Sequence, residues 1–282
     1  MGTDIKKKRL KVKDYFLSGE EFILQENETF GFLKTTGIAF EKLADYYKSE
    51  DYISHSDASK TIFDKLYQWI KKYNIAYKFS KLSQQTNQKT LLDYGCGTGD
   101  FLKYAKDKGL KVYGVEPNEA ALNLAQKKVG TEYVSSRNLK EINQQFDYIT
   151  LWHVLEHIPD LFEFIEELKS KLNPDGKILI AVPNHLSLDA KFYKNYWAAW
   201  DVPRHIWHFS NDSFQKLMYK NNLEIVKIYP LWFDSFYVSL LSEKYKKTKF
   251  GFIRAILIGS LSNLSAIFNQ NYSSVIYEIR KK

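Results

Sequence analysis

The sequence predicts an α/β fold, with an open, mostly parallel sheet and helices on both faces. Two observations carry this. From residue 89 to about 230, short apolar runs alternate with helix-patterned segments. That order builds parallel strands joined by right-handed crossovers. Within it, Asp93-Tyr94-Gly95-Cys96-Gly97-Thr98-Gly99 joins the apolar run Thr90-Leu91-Leu92 to a helical stretch over 100–105. A glycine turn between a strand and a helix lets a ligand approach bare N–H groups at the helix start.

The elements follow in order. Residues 1–56 alternate short extended stretches, such as Glu21-Phe22-Ile23-Leu24 and Phe30-Gly31-Phe32-Leu33, and predict a small β-rich extension ahead of a main domain over 57–282. Asp57 is placed to cap a helix over 58–73, whose Ile62, Leu66, Trp69 and Tyr73 share one face and are expected in the core. Residues 80–89 are polar and read as a linker. The core spans 89–230. Its second strand is Lys111-Val112-Tyr113-Gly114-Val115-Glu116, followed by a helix over 118–128 and a third strand near 132–134. The fourth strand covers 146–152. A helix over 161–172 ends at the turn Asn173-Pro174-Asp175-Gly176, and the fifth strand, 177–182, stops at Pro183. A helix over 211–221, strands over 223–229 and 274–279, and a helical insertion at about 240–270 complete the chain.

Composition narrows the partners. The 282 residues carry a net charge of +8, but the lysines are scattered apart from 6–9 and 244–249. No nucleic-acid module is recognisable, so no nucleic-acid partner is expected. The single cysteine, Cys96, permits neither an intrachain disulfide nor a cysteine zinc cluster, and a reducing, cytoplasmic setting is expected. The lysine-rich start lacks the apolar core of a secretory signal. The segment 250–268 is apolar but broken by Arg254, Ser260, Ser262 and Asn263, short of the roughly 18 residues of a span. It reads as an amphipathic helix packed on the domain, or lying on a surface of lipid or partner. Nothing in the sequence fixes an oligomeric state.

The spacing of the glycine loop is D-x-G-x-G-x-G; a dinucleotide fold would need glycine at position 100, where this chain has Asp100. Glu116 ends the next strand, 23 residues after Asp93. A carboxylate there suits a ribose diol, since each hydroxyl needs an acceptor. The loop resembles motif I of the class I S-adenosylmethionine (SAM) methyltransferases. His153-Val154-Leu155-Glu156-His157-Ile158-Pro159-Asp160 after strand four is similar to the ubiquinone and menaquinone biosynthesis group. The stretch from Tyr196-Trp197 to Arg204-His205, then His208-Phe209-Ser210, resembles the substrate loop of a bacterial subgroup of these methyltransferases. The resemblance covers roughly 89–230. It implies a Rossmann-like sheet of seven strands with the last antiparallel, and SAM as cofactor. It further implies that Asp93, Gly95 and Gly97, with Cys96 between them, line the methionine and ribose side. Glu116 would hold the ribose hydroxyls, Pro117 or Asn118 flank adenine, and Trp152 and His153 face the sulfonium. The acidic residue often found after strand three is missing, leaving Ser136 or Asn138 for the adenine amino group.

Methyl transfer to a hydroxyl profits from a base, and His153, His157, His205 and His208 are the candidates, the first three foremost. For His157 a structural role, bonding a backbone carbonyl, stands beside the catalytic one. Arg204 and His208, in a loop with Trp197 and Trp200, are expected to cover a small-molecule, glycan or lipid-like acceptor, methylated on oxygen. The alternative is that the tryptophans only pack the loop down. His153-x-x-Glu156-His157 also fits an inverted zincin signature, but Pro159 closes the segment before a regular helix forms, so no metal is expected. A binding module without catalysis is the remaining alternative.

Overall fold

The computed structural model describes residues 9–47, 62–82 and 88–282. The helix cap expected at Asp57 and residues 83–87 of the expected linker lie outside these residues. Strands β1 (Arg9–Lys13), β2 (Glu21–Glu26) and β3 (Leu33–Thr36) form an antiparallel set, followed by helix α1 (Ile62–Phe79). The main sheet begins with β4 (Thr90–Tyr94), α2 (Asp100–Asp107), β5 (Lys111–Val115), α3 (Glu119–Val129) and β6 (Val134–Ser135). It continues with β7 (Phe146–Trp152), α4 (Leu161–Ser170), β8 (Leu172–Pro183) and α5 (Leu188–Tyr193). Then come β9 (Trp207–His208), α6 (Asn211–Lys220), β10 (Leu223–Pro230), α7 (Asp234–Lys246), α8 (Gly251–Asn269) and β11 (Ser274–Lys281).

The seven-stranded sheet has the order β10-β11-β8-β7-β4-β5-β6. The last strand of the chain, β11, runs antiparallel to both neighbours, as the resemblance implies. Chain order reverses at β4, between β7 and β5, and the crevice beyond the carboxyl end of such a strand is where open α/β sheets bind ligands. Side chains alternate between the two faces with period two. Leu92, Ile149, Ile178 and Ile180 join one core with α4 and α6. Leu91, Tyr148, Leu179 and Ala181 join the other with α2 and α3.

Helix starts are set by short polar side chains. Asn118 accepts a hydrogen bond from the Ala121 amide at 3.0 Å ahead of α3, and Ser210 with Ser213 forms a reciprocal cap on α6. The N-terminal strands do not stand alone. β3 pairs with β9, which lies far along the chain, giving a four-stranded sheet β1-β2-β3-β9. Val12, Phe22 and Leu24 pack there with Trp197, Trp200 and Val202.

Helix α1 departs from its expected role. Leu66, Trp69 and Tyr73 are 52%, 57% and 41% exposed rather than in the core. The helix is anchored by its later turns instead: Ile75, Tyr77 and Phe79 pack on the second core, Phe79 meeting Tyr104 edge-on at 5.3 Å. The side chain of Ile62 is outside the described residues. Helix α8 buries Ala255, Ile258, Gly259, Ser262 and Ala266. Gly259 permits the contact with α7, since a Cβ there would lie 2.7 Å from the Phe236 ring. The opposite side exposes Ile253, Leu257, Leu264 and Phe268, and Phe252 is exposed in the first turn. By length and composition α8 is long enough and apolar enough to cross a membrane, a threshold that the sequence reading placed just above it.

Candidate active site

The glycine loop follows β4 at the point of reversal. Gly95, Gly97 and Gly99 all have left-handed backbone, with φ of 74°, 55° and 80°. A Cβ on Gly95 would meet Val154 Cγ2 at 2.5 Å, whereas one on Gly97 would project into open space. Gly95 is therefore needed for packing and Gly97 for leaving a cradle. The amides of Gly95 and Cys96 donate to the Val115 carbonyl at 2.8 and 3.0 Å, tying the loop to β5. Glu116 completes the tie: its Oε2 accepts from the Gly97 amide at 2.8 Å and its Oε1 from the Asn118 amide at 2.9 Å. Burial raises the Glu116 pKa, and these two amides work against the rise.

Asp93 is the last residue but one of β4, at 1% exposure. Its Oδ1 accepts from Thr150 Oγ1 at 2.6 Å, and its Oδ2 has no partner among the described residues. Burial pushes its pKa up to about 7, against the influence of Thr150 and Lys78, with Glu116 adding to the rise. Lys78, from α1, stands over the Trp152 ring at 4.8 Å. Burial lowers its pKa, while Asp234 and Asp93 support its charge. Asp100 bridges α1 to α3 through Lys71 at 2.9 Å and Lys128 at 2.6 Å.

These groups surround a cleft of about 870 Å³. Asp93, Gly95, Cys96, Gly97 and Trp152 line it, joining five of the expected cofactor residues in one place. Glu116 lies beneath the loop. Pro117 is exposed, and Asn118 is engaged as a helix cap. The residues fit SAM: a cradle that a side chain would fill, a buried carboxyl with a free oxygen, and a second carboxylate fixed by backbone amides. The opposite wall is apolar and comes from α1, α7 and α8, through Leu66, Ile70, Phe236, Leu240, Phe252 and Ile256. Three contributors, Lys78, Phe233 and Asp234, escape sequence reasoning. A lone lysine in the apolar run Ile75-Ala76-Tyr77-Lys78-Phe79 is the one signal that could have found the first of them.

His153 has left-handed backbone at φ 58°. Its Nε2 lies 3.0 Å from Asp234 Oδ2 and its Nδ1 3.3 Å from Glu156 Oε1. Burial alone would lower its pKa, but the two carboxylates raise it to about 9. Carboxylates only accept, so both ring nitrogens donate and neither is left to take a proton. His157 and His205 sit behind Glu156, ring to ring at 4.6 Å. His157 Nδ1 lies 3.0 Å from the Arg204 carbonyl, the structural role set out above, and burial with His205 nearby lowers its pKa to about 4. The regular helix required by the inverted-zincin reading is absent, because only a single 3₁₀ turn, Leu155–His157, follows His153.

The loop over 197–208 is packed down rather than laid over the cleft. Trp197 Nε1 donates to Asp189 and Trp200 Nε1 to the Lys194 carbonyl, both at 2.7 Å. Arg204, 1% exposed, pairs with Asp14 at 2.9 Å and Asp201 at 2.6 Å, so its guanidinium is not available to read an acceptor anion. His208 Nε2 donates to Thr35 Oγ1 at 2.9 Å. None of Trp197, Trp200, Arg204 and His208 lines the cleft.

A glycine cradle at a sheet's reversal point, backed by a carboxylate on the next strand, defines a nucleotide-cofactor enzyme of the α/β class. Residues 67–228 match the family described as a methyltransferase domain. The chain belongs to this family and is a class I SAM-dependent methyltransferase. It is 30% identical over 104 residues to a ubiquinone biosynthesis O-methyltransferase of Pseudomonas paraeruginosa, covering 34% of this chain and 45% of that protein. The chain thus spans less than half the length of this curated relative. Among solved structures it resembles magnesium protoporphyrin IX methyltransferase from Synechocystis with S-adenosylhomocysteine bound (TM-score 0.52, 16% identity, 86% of this chain and 94% of that one). It also resembles a cyclopropane synthase from Mycobacterium tuberculosis (TM-score 0.54, 16% identity, 84% and 88%). These two likenesses concern the fold.

Proposed function

We propose that the methyl acceptor is an amphiphile whose apolar body lies against α1, α7 and α8, and that its nucleophile is an acidic oxygen such as a phenol or carboxylic acid. The observation that carries the reading is the two-sided cleft. Polar groups gather around the glycine loop, and the facing wall is apolar. SAM supplies an electrophilic methyl on a sulfonium, so transfer forms a C–O bond as the S–C bond breaks. Asp93 and Glu116 orient the cofactor's polar ends, and Trp152 with Phe101 excludes water from one side.

The proton of the acceptor passes to Asp234, the carboxylate that both lines the cleft and is fixed from behind by His153 Nε2–H. With His153 donating from both nitrogens, Asp234 is a weak base. That favours an acceptor oxygen that ionises readily, with Lys78 stabilising the resulting anion. The O-methyltransferase name of the 30%-identical relative agrees with transfer to oxygen. The test is transfer of labelled methyl from SAM to matched phenols with long and short alkyl chains. The long-chain phenol is expected to react at least about tenfold faster in kcat/KM. Asp234→Asn is expected to lower kcat about 100-fold while SAM affinity stays within about threefold. Equal rates on both phenols, or an active Asp234→Asn enzyme, would refute the reading.

A further inference from the structure

We propose that Glu156, His157 and His205 bind a single divalent metal ion of the zinc class, at a site separate from the methyl-transfer cleft. One ligand atom from each residue lies within 4.8 Å of the other two. Zinc takes two histidines and a glutamate readily, with bonds of about 2.0–2.2 Å, which spaces donors by about 3.4 Å in a tetrahedron. A contraction of up to about 1.4 Å would therefore close the site around an ion.

The hydrogen bonds around the cluster select the ligand atoms. His157 Nδ1 faces the Arg204 carbonyl and the Tyr47 hydroxyl, each at 3.0 Å, the hydroxyl itself donating to that carbonyl at 3.4 Å, and His205 Nδ1 faces the Ala199 carbonyl at 2.9 Å. A carbonyl only accepts, so each Nδ1 carries the hydrogen and each Nε2 keeps its lone pair. Metal-binding histidines are held this way, the outer nitrogen donating to a carbonyl or carboxylate. Glu156 supplies the independent observation. It is fully buried, its Oε1 is used by His153, and its Oε2 has no partner among the described residues. A buried, unpaired carboxylate oxygen is costly, and a cation shared with two imidazole lone pairs removes the cost. Asp201 Oδ2, 3.9 Å from His205 Nε2, or a water would complete four-coordination.

The placement is that of a brace. The ligands come from the turn after β7 and the loop before β9, segments already joined by the Ile206 amide donating to the Glu156 carbonyl at 2.8 Å. None of the three lines the cleft. The site uses Glu156 and His157 of the H-x-x-E-H signature but not His153, whose nitrogens are taken by carboxylates.

The experiment uses tag-free, full-length protein, stripped with a chelator and titrated with Zn²⁺ and with Co²⁺ as its spectroscopic stand-in. The expected result is about one ion per chain, visible Co²⁺ bands of low-coordinate nitrogen and oxygen ligation, and a higher melting temperature with Zn²⁺. His157→Gln and His205→Gln are each expected to weaken binding by about 10–100-fold or more and to erase the bands. Titration with SAM checks that the variants remain folded. A wild-type protein that takes up well under one ion per chain overturns the proposal, whatever the variants do. So does metal binding that survives both substitutions.

Discussion

Asp93 is held in the strand at an energetic cost, and the cost has a measurable sign. Its folded pKa of about 7 lies above the value of 3.8 expected when it is exposed. The folded state therefore binds more protons than the unfolded chain between those limits, and this carboxyl subtracts stability as pH rises from about 4 to 7. Asp93→Asn is expected to raise the melting temperature of the ligand-free protein by several degrees at pH 8, with no gain at pH 4. The same variant is expected to lose SAM affinity by about tenfold or more. A melting gain equal at both pH values would show that the buried charge is not the cause. The carboxyl and its glycines were legible in sequence because their geometry is local: strand, turn and helix are contiguous. Lys78 and Asp234 were not, because the cleft gathers them from chain positions that no spacing rule connects.

At the scale of elements, the loop over 197–208 is the clearest departure. Its aromatics and arginine have the composition of a binding surface, yet composition does not tell whether a side chain faces a ligand or a neighbouring sheet. Here the neighbour is β1–β3, and the Arg204 guanidinium sits between Asp14 and Asp201 and over the Phe16 ring at 4.8 Å. Removing one member of a buried ion pair leaves an uncompensated charge. Arg204→Ala is therefore expected to destabilise the fold by about 3–5 kcal/mol in urea unfolding; a loss below about 1 kcal/mol would mean the pair is structurally idle. Helix α1 erred in the opposite sense. Its apolar spacing suggested a buried stripe, but Leu66 of that stripe lines the cleft, beside Ile70, and Trp69 and Tyr73 are exposed. The mostly parallel core was legible, because alternation of strand and helix leaves few topologies, whereas the antiparallel final strand followed only from the family resemblance.

For the whole molecule, the apolar wall of the cleft is continuous with the exposed side of α8. Phe252 and Ile256 line the cleft and are also 53% and 46% exposed. Each such side chain is worth about 1.5–3 kcal/mol when covered. Replacing both with serine is expected to slow turnover of a long-chain acceptor by about tenfold or more, with short-chain acceptors and SAM affinity unaffected; an equal loss on both chain lengths would place the defect elsewhere.

The sheet that joins β1–β3 to β9 sets a timetable for the newborn chain. Asp14 leaves the ribosome 190 residues before the arginine that neutralises it, and β3 emerges with its outer edge unpaired until Trp207 and His208 follow. At a synthesis rate of about 5–20 residues per second, Asp14 precedes Arg204 by roughly 10–40 s. The beginning of the protein is therefore among the last parts to become native, and an open strand edge is the hazard carried through that interval.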